Sequence, residues 1–184
     1  TGALTIGAGG DITSGGAFDQ SGGGTVSTAG DITTTNAAIG FADPVTLTAA
    51  VALSSGAGAG TITFGGTLLG TQTLSLTAGS GNIDFDGIVG ATPLGAVTIV
   101  SAGNVTADAA FSAASLVQSA GTGTTQFDGA LITTAVAGVN ITAAAINLSS
   151  TINTTRMPPM IADHVMPPIE SRTMTDWSMT TSML

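Results

Sequence analysis

The chain has no cysteine, no tyrosine and no lysine, and its two arginines stand against eleven acidic residues among 184. Without cysteine it forms no disulfide and offers no thiolate to a metal. A formal net charge of −9 leaves almost nothing to neutralise a phosphate backbone or an anionic lipid surface. The composition therefore predicts no nucleic-acid partner and no binding to anionic membranes.

Long apolar runs and aromatic side chains are also scarce. A transmembrane helix needs about 20 mostly apolar residues, and here Gly, Thr and Ser interrupt every hydrophobic stretch. A transmembrane barrel needs aromatic girdles, which one tryptophan without tyrosine does not supply. We therefore expect no membrane insertion.

Glycine is abundant, with 27 residues, and so are short runs in which every second side chain is apolar. In the unit from Leu74 to Gly87, two alternating runs (LSL and IDF) flank a glycine-rich corner, and a turn at Asp86-Gly87 follows. Such a unit is too thin for a core of its own, so it must stack on copies of itself. The sequence predicts an all-β fold over residues 1–155, a right-handed parallel β-helix (β-solenoid) of about seven coils.

The unit recurs at steps of 19 to 29 residues, which match one turn of a solenoid. The first strands of the predicted coils begin at Leu4, Val26, Val45, Leu74, Val97, Leu116 and Val139. Short and long coils alternate in this register, with an insertion around residues 49–60 and two strands in each coil. The two aliphatic ladders predicted inside the rod are Ile12, Ile32, Ile62, Ile83 and Val105, and Leu4, Val45, Leu74, Val97 and Leu116.

Polar residues at the corners have a predicted structural role. Asp11, Asp31, Asn82 and Asn104 lie beside corner glycines and are expected to accept hydrogen bonds from backbone groups left free at the bend. At about 4.8 Å per coil, seven coils make a rod roughly 34 Å long. Both ends of such a stack expose unpaired strand edges, which predicts end-to-end self-association of residues 1–155.

The repeat pattern stops at Thr155. Residues 156–184 form a Met- and Pro-rich C-terminal tail that holds all six methionines, both arginines, the only histidine and the only tryptophan. The tail could cap the last coil, with its prolines preventing further pairing. Alternatively it is loosely ordered, or it arises from a shifted reading frame, since a one-base shift creates a Met codon wherever Asp is written GAT and is followed by Gly or Ala. The chain begins at Thr1 without a signal peptide or initiator methionine, so we expect it to be a piece of a longer protein.

One group of carboxylates could serve an enzyme. Asp84, Asp86, Asp108 and Asp128 could cluster, and polysaccharide-cleaving β-helices use clustered carboxylates. No Lys, Arg or His accompanies them within residues 1–155, and Asp-Gly at two of these positions is a strong turn signal. Turn formation is the favoured interpretation, and no catalytic residue is predicted.

Metal sites are weighed in the same way. The segment from Gly7 to Ile12 faintly resembles one nonapeptide of a calcium-binding β-roll, but it occurs once, and corner capping is favoured. In the tail, His164 could bind a metal with Asp163 and Glu170, or the methionines could bind copper(I). A single histidine is a weak signal, so no metal-binding and no cofactor-binding residue is predicted.

Outward hydroxyls suggest a further possibility. Threonine and serine pairs could form a flat ice-binding array, although other coils interrupt it, and strand propensity is the favoured cause of these residues. The pairs are Thr46/Thr48, Thr61/Thr63 and Ser75/Thr77.

The repeated Gly-Asp/Asn-Ile/Val-Thr segments, the Leu/Val-Thr/Ser-Ile/Leu strands and the Phe-Asp-Gly turns of residues 1–155 resemble a known group. They are similar to the filamentous-haemagglutinin-like, β-strand-repeat surface proteins of bacteria. The resemblance implies a secreted or surface-anchored β-helical stalk, extracellular or on the bacterial cell surface, used in adhesion, biofilm or matrix. It offers no catalytic residues.

Three functions are thus compared. The first is a non-catalytic structural rod that associates end to end, with a host or matrix surface as a further partner. The second is a carbohydrate- or protein-binding module on an outward Thr/Ser face, and the third is a polysaccharide-active enzyme. Phe64, Phe85 and Phe127 lie on the alternation that should face the core, not on an exposed sugar-binding surface. This placement favours the rod.

Overall fold

The computed structural model describes residues 2–155, so the tail at 156–184, with its predicted cap and metal ligands, lies outside the described residues. The described chain has no helix. Its twenty strands are β1 (Leu4–Ile6), β2 (Ile12–Ser14), β3 (Phe18–Gln20), β4 (Val26–Thr28), β5 (Ile32–Thr34), β6 (Ile39–Phe41), β7 (Val45–Leu47), β8 (Val51–Ser54), β9 (Ile62–Phe64), β10 (Leu68–Leu69), β11 (Leu74–Thr77), β12 (Ile83–Phe85), β13 (Val89–Ser101), β14 (Val105–Ala107), β15 (Phe111–Gln118), β16 (Thr124–Phe127), β17 (Leu131–Thr133), β18 (Val139–Ile141), β19 (Ala145–Leu148) and β20 (Ile152–Thr154).

Each coil runs through three faces, which we name a, b and c. Face a stacks β1, β4, β7, β10, the starts of β13 and β15, β17 and β20. Face b stacks β2, β5, β8, β11, the ends of β13 and β15, and β18. Face c stacks β3, β6, β9, β12, β14, β16 and β19, and every pairing is parallel. The predicted all-β parallel solenoid of about seven coils is confirmed, with β20 beginning an eighth; its right hand stays a prediction.

The predicted register within the coils is wrong. Leu74 pairs with Val51 on face b, whereas Val45 pairs with Leu68 on face a. Each coil therefore has three strands instead of two, and the supposed insertion around residues 49–60 contains the ordinary strand β8. Along face a the first inward residues recur at steps of 22, 19, 23, 21, 22, 20 and 21 residues, so longer and shorter coils do alternate, but the range of 19 to 23 is narrower than the predicted 19 to 29.

Both predicted ladders mix two faces. Leu4 lies on face a, while Leu74, Val97 and Leu116 stack on face b. Ile32 lies on face b against Leu53, whereas the later members of that ladder lie on face c. The cause is physical: all three faces bury one side of a short strand, so their sequences look alike.

The edge from face c to the next face a is the most regular part of the rod. In coils two to seven, six residues separate the first inward side chain of c from that of a. Backbones approach closely there: a Cβ on Gly87 would lie 2.5 Å from the Gly66 backbone in the coil before. Glycine permits this close stacking at Gly66, Gly87 and Gly129, whereas the equivalent position holds Asp43 and Ala109 in two other coils. Gly79, at φ 59°, serves the left-handed corner that the sequence predicted.

All six phenylalanines form one continuous stack through the core. Ring centroids lie 5.3 to 5.7 Å apart from Phe18 to Phe41, Phe64, Phe85, Phe111 and Phe127. Phe111 comes from face a and bridges Phe85 and Phe127 where face c has only Ala107. The predicted inward placement of Phe64, Phe85 and Phe127 is confirmed, since each is 1% exposed.

The interior of face b holds polar side chains among its aliphatic ones, including Thr34 on β5 and Gln118 on β15. Gln118 is 1% exposed and pairs with Ile99 below and Ile141 above. Its Oε1 accepts a hydrogen bond from the Thr125 hydroxyl at 2.7 Å, but its Nε2 has no partner within residues 2–155. An unsatisfied buried donor costs roughly 1–3 kcal/mol, which makes this coil a weak level of the stack.

Candidate functional surfaces

The predicted corner role of Asp and Asn is confirmed on two edges. The Asp11 carboxylate accepts the Asp31 N–H at 2.9 Å, and the Asp31 carboxylate accepts the Ala52 N–H at 2.7 Å. On another edge, Asn82 accepts the Asn104 N–H at 3.0 Å, and Asn104 accepts the next N–H, from Thr124, at 2.8 Å. Each side chain binds the coil stacked above it, so these residues hold the rod together.

Sequence reasoning missed a fifth capping residue, Asn36. Asn36 has φ 55°, a left-handed conformation that asparagine tolerates better than most residues, and its Oδ1 accepts the Gly58 N–H at 2.6 Å. The available signal was an asparagine in the corner between faces b and c, two positions earlier in that corner than Asn82. It belongs to the structural set and not to a ligand site.

The structure brings the four suspected carboxylates to one corner. Asp86, Asp108 and Asp128 directly follow register partners on face c, so they stack on three successive coils. Asp86 and Asp128 each begin the bend that leaves face c, which confirms their predicted turn positions. Asp84 points outward from β12 and is half-buried, while the other three are exposed.

The electrostatics of this corner are those of crowded negative charge. Burial raises the pKa of Asp84, and the charges of Asp86 and Asp108 raise it further, whereas a hydrogen bond from Thr106 opposes them. The Asp128 carboxylate already accepts hydrogen bonds from Gln126 Nε2 at 2.9 Å and Ser149 Oγ at 3.0 Å. Both arginines and the histidine lie after residue 155, so no cation of the described chain neutralises the corner.

The chemistry that this corner can support is limited. A carboxyl group with a raised pKa beside a carboxylate is a combination that acid–base enzymes use, but such sites also need walls that exclude water and hold substrate. Three of the four carboxylates are exposed. Within residues 2–155 no three His, Cys, Asp or Glu side chains are grouped so as to hold a metal ion.

The outward hydroxyls do not form one array. Thr46 lies on face a, Ser75 on face b and Thr63 on face c, so the pairs considered for an ice-binding surface point in three directions. Along face b the outward row reads Ala52, Ser75, Thr98, Val117 and Asn140, which mixes methyl, hydroxyl and amide groups. A flat ice-binding lattice of threonine is therefore excluded for these pairs.

Face b carries a shallow, open depression of about 400 Å³. Asp31 lies at one side, and Ala52, Ser75, Ala96 and Thr98 line it across the neighbouring coils. Small outward side chains create the hollow because the strands on either side carry nothing large to fill it. Asp31 is the one aspartate that lines the depression, and Asp84, Asp86, Asp108 and Asp128 lie outside it.

Comparison of the chain with protein-family models, with curated proteins and with solved structures found no match. Among the described residues, no helix has the length and apolar character needed to cross a bilayer. What the fold and its surfaces define is the class: the chain is a β-solenoid repeat protein. A narrower assignment of its function rests on the residues of the chain itself.

Proposed function

We propose that this chain is a structural rod segment of a secreted or cell-surface β-helical adhesin or filament, and that it is non-catalytic. The observation that carries the proposal is the unbroken stack: every coil pairs in parallel with the next, around one core. Such a solenoid is quasi-one-dimensional, so length can be added without changing the contacts already made. The side chains with the most specific contacts, the corner Asp and Asn residues, bind neighbouring coils.

The surface charge suits an exposed extracellular stalk. All eight ionisable side chains of the described residues are aspartates, four of them at positions 11–43 and four at positions 84–128, so every charged coil of the rod is negative. Like charge keeps rods apart sideways at low salt. Because the rods repel one another sideways and their ends have unpaired strand edges, association end to end is favoured.

The test measures both adhesion and catalysis with the full chain. Beads coated with the chain should be retained on a bacterial biofilm matrix, whereas beads coated with an unrelated acidic protein of equal charge should not. Incubation with a panel of acidic and neutral polysaccharides should release no new reducing ends or unsaturated sugars. Release that disappears in Asp84→Asn with Asp86→Asn would replace the rod by an enzyme, and equal retention of both bead types would remove the adhesive role.

The depression on face b favours a second candidate, a binding module for an extended saccharide or peptide. Hydroxyl groups from Ser75 and Thr98 and the Asp31 carboxylate offer polar contacts beside apolar methyl groups. Ala96→Trp should fill the hollow and abolish binding on a glycan or peptide array. The control is Ala91→Trp, at an exposed site on face a; an equal effect of both variants would dismiss this site.

A further inference from the structure

The apolar interior of the rod is uncovered at its C-terminal end. Ile146 is 46% exposed, Leu148 43% and Ile152 37%. One coil earlier, their register partners Thr125, Phe127 and Leu131 are each 1% exposed. The three exposed residues occupy inward positions, so they are core residues that lack the next coil.

The last turn is also incomplete in a definite way. β20 begins an eighth coil on face a, whereas β18 and β19 have strands on one side only. The vacant positions are therefore the b and c levels directly above β18 and β19. In the solenoid path these are the next positions that the chain reaches after Thr155.

A second copy of the rod matches this end less closely than a segment that continues from Thr155. Its first coil would meet β20 on face a before it could reach β18 and β19, which lie one level lower. Its leading coil also places Ser14 and Gln20 at inward positions, and Gln20 Nε2 donates to Asp43 of the second coil at 2.7 Å. The opposite end thus presents two polar side chains to an apolar surface, beside the apolar Leu4, Ile6, Ile12 and Phe18.

The chain itself supplies a better match. The 29 residues that follow Thr155 exceed the roughly 21-residue length of one coil and hold all six methionines and the only tryptophan. Methionine fills irregular apolar surfaces, and the two Pro-Pro pairs lack the N–H groups that would extend the ladder. A segment tethered at Thr155 is present near the end at an effective concentration of about millimolar, above that of a free copy at micromolar concentration.

We propose that residues 156–184 cover the open end of their own rod, seated on Ile146, Leu148 and Ile152 above β18 and β19. The covered end then cannot recruit further strands, so growth of the rod is controlled by the tail. Removal of the tail exposes the end and permits association. The same apolar end is therefore either covered by the tail or open to a second copy.

The chain offers a sharp test because trypsin has only two sites, Arg156 and Arg172, both within the covering segment. The full chain is digested at several concentrations, with a synthetic peptide of residues 155–184 as the unprotected reference. Leu148→Asp places a charge on the apolar seat and Leu148→Ala is the milder variant. The matched control is Asn147→Asp, the outward neighbour on the same strand.

Cleavage of the full chain should be at least about tenfold slower than that of the peptide, and Leu148→Asp should lose this protection while Asn147→Asp keeps it. Emission of Trp177 should shift to the red in Leu148→Asp alone. If Leu148→Asp loses its far-ultraviolet strand signal, Leu148→Ala replaces it in the comparison. Its tail should then be cleaved faster than the tail of Asn147→Asp. Cleavage at the peptide rate, equal rates for the Leu148 and Asn147 variants, or protection that rises with protein concentration would each overturn the proposal, the last in favour of a second copy.

Discussion

Two edges of the rod behave differently. From face c to face a the inward residues are always six positions apart in coils two to seven, whereas from b to c the spacing varies from five to nine. Backbones approach closely at both edges, as at Gly87 over Gly66 and at Gly81 over Gly60, so the two edges differ in the length of their corners and not in the closeness of stacking. We call the edge of constant spacing the rigid edge, because it keeps the register of this rod while the edge from b to c accepts changes in length.

The aromatic stack lies beside the rigid edge, so its centre should be the most sensitive position. Phe64→Ala removes a ring that is 1% exposed and stacked at 5.5 and 5.3 Å on its two neighbours. The expected loss is about 3–5 kcal/mol of unfolding free energy. Phe18→Ala, at the half-buried end of the stack, should lose clearly less in the same urea titration. Equal losses would show that the stack is not a continuous core element.

A methyl group on the rigid edge should cost about 1–3 kcal/mol, because the neighbouring backbone cannot move away. Gly87→Ala is the test, since its Cβ would meet Gly66 at 2.5 Å. Gly15→Ala is the matched control, with no atom within 4 Å of its Cβ. Thermal unfolding should separate the two variants, and a Gly87→Ala melting temperature equal to that of the control would remove the close-contact explanation.

Replacing the buried polar pair Gln118 and Thr125 by apolar residues should increase the stability of the rod. Gln118→Leu with Thr125→Val replaces a buried hydrogen-bonded pair that leaves one amide donor unsatisfied. We expect about 1 kcal/mol of added stability from the double variant, and a loss from Thr125→Val alone, which leaves the whole amide unpaired. A stable single variant and an unstable double one would indicate that Gln118 has a function other than packing.

The smallest effect is expected from pH. The pKa of Asp84 is raised in the folded state, so its proton is held more tightly there, and its carboxylate reduces stability as pH rises through the folded pKa. Hydrogen bonds led by Gln20 lower the pKa of Asp43, whose contribution is present above its unfolded value and is lost on acidification. Asp84→Asn should add a few tenths of a kcal/mol at neutral pH, since solvent screens the charge, and no gain at acid pH. A gain that is equal at both pH values would contradict this cause.

The fold class could be predicted from the sequence because alternation and glycine corners are local signals, and so could the corner bonds of Asp11, Asp31, Asn82 and Asn104. The register could not, because it depends on which short strand stacks on which. The two-residue strand β10 gives almost no alternation, so the sequence pattern does not reveal the face-a strand of that coil. The predicted coil therefore starts at Leu74, which belongs to face b. The signal that does identify the register is the constant six-residue spacing between faces c and a.

The acidic corner also shows that the sequence cannot predict what depends on the register. Sequence adjacency suggested that Asp84, Asp86, Asp108 and Asp128 could cluster, and stacking does bring them to one corner. Whether a cluster has walls depends on its neighbours across coils, which are small or polar here. Exposure and shape, unlike proximity, follow only from the full register.

The most direct test of the three-faced coil is disulfide formation, which the absence of native cysteine makes simple to interpret. Ala52 and Ser75 are register partners on face b, whereas Thr46 belongs to face a. Neighbouring strands lie about 4.8 Å apart, within the Cα range of a disulfide. Under mild oxidation Ala52→Cys with Ser75→Cys should form an intramolecular disulfide, and Thr46→Cys with Ser75→Cys should not. A bond in the second pair and none in the first would contradict the three-faced coil and restore two strands per coil.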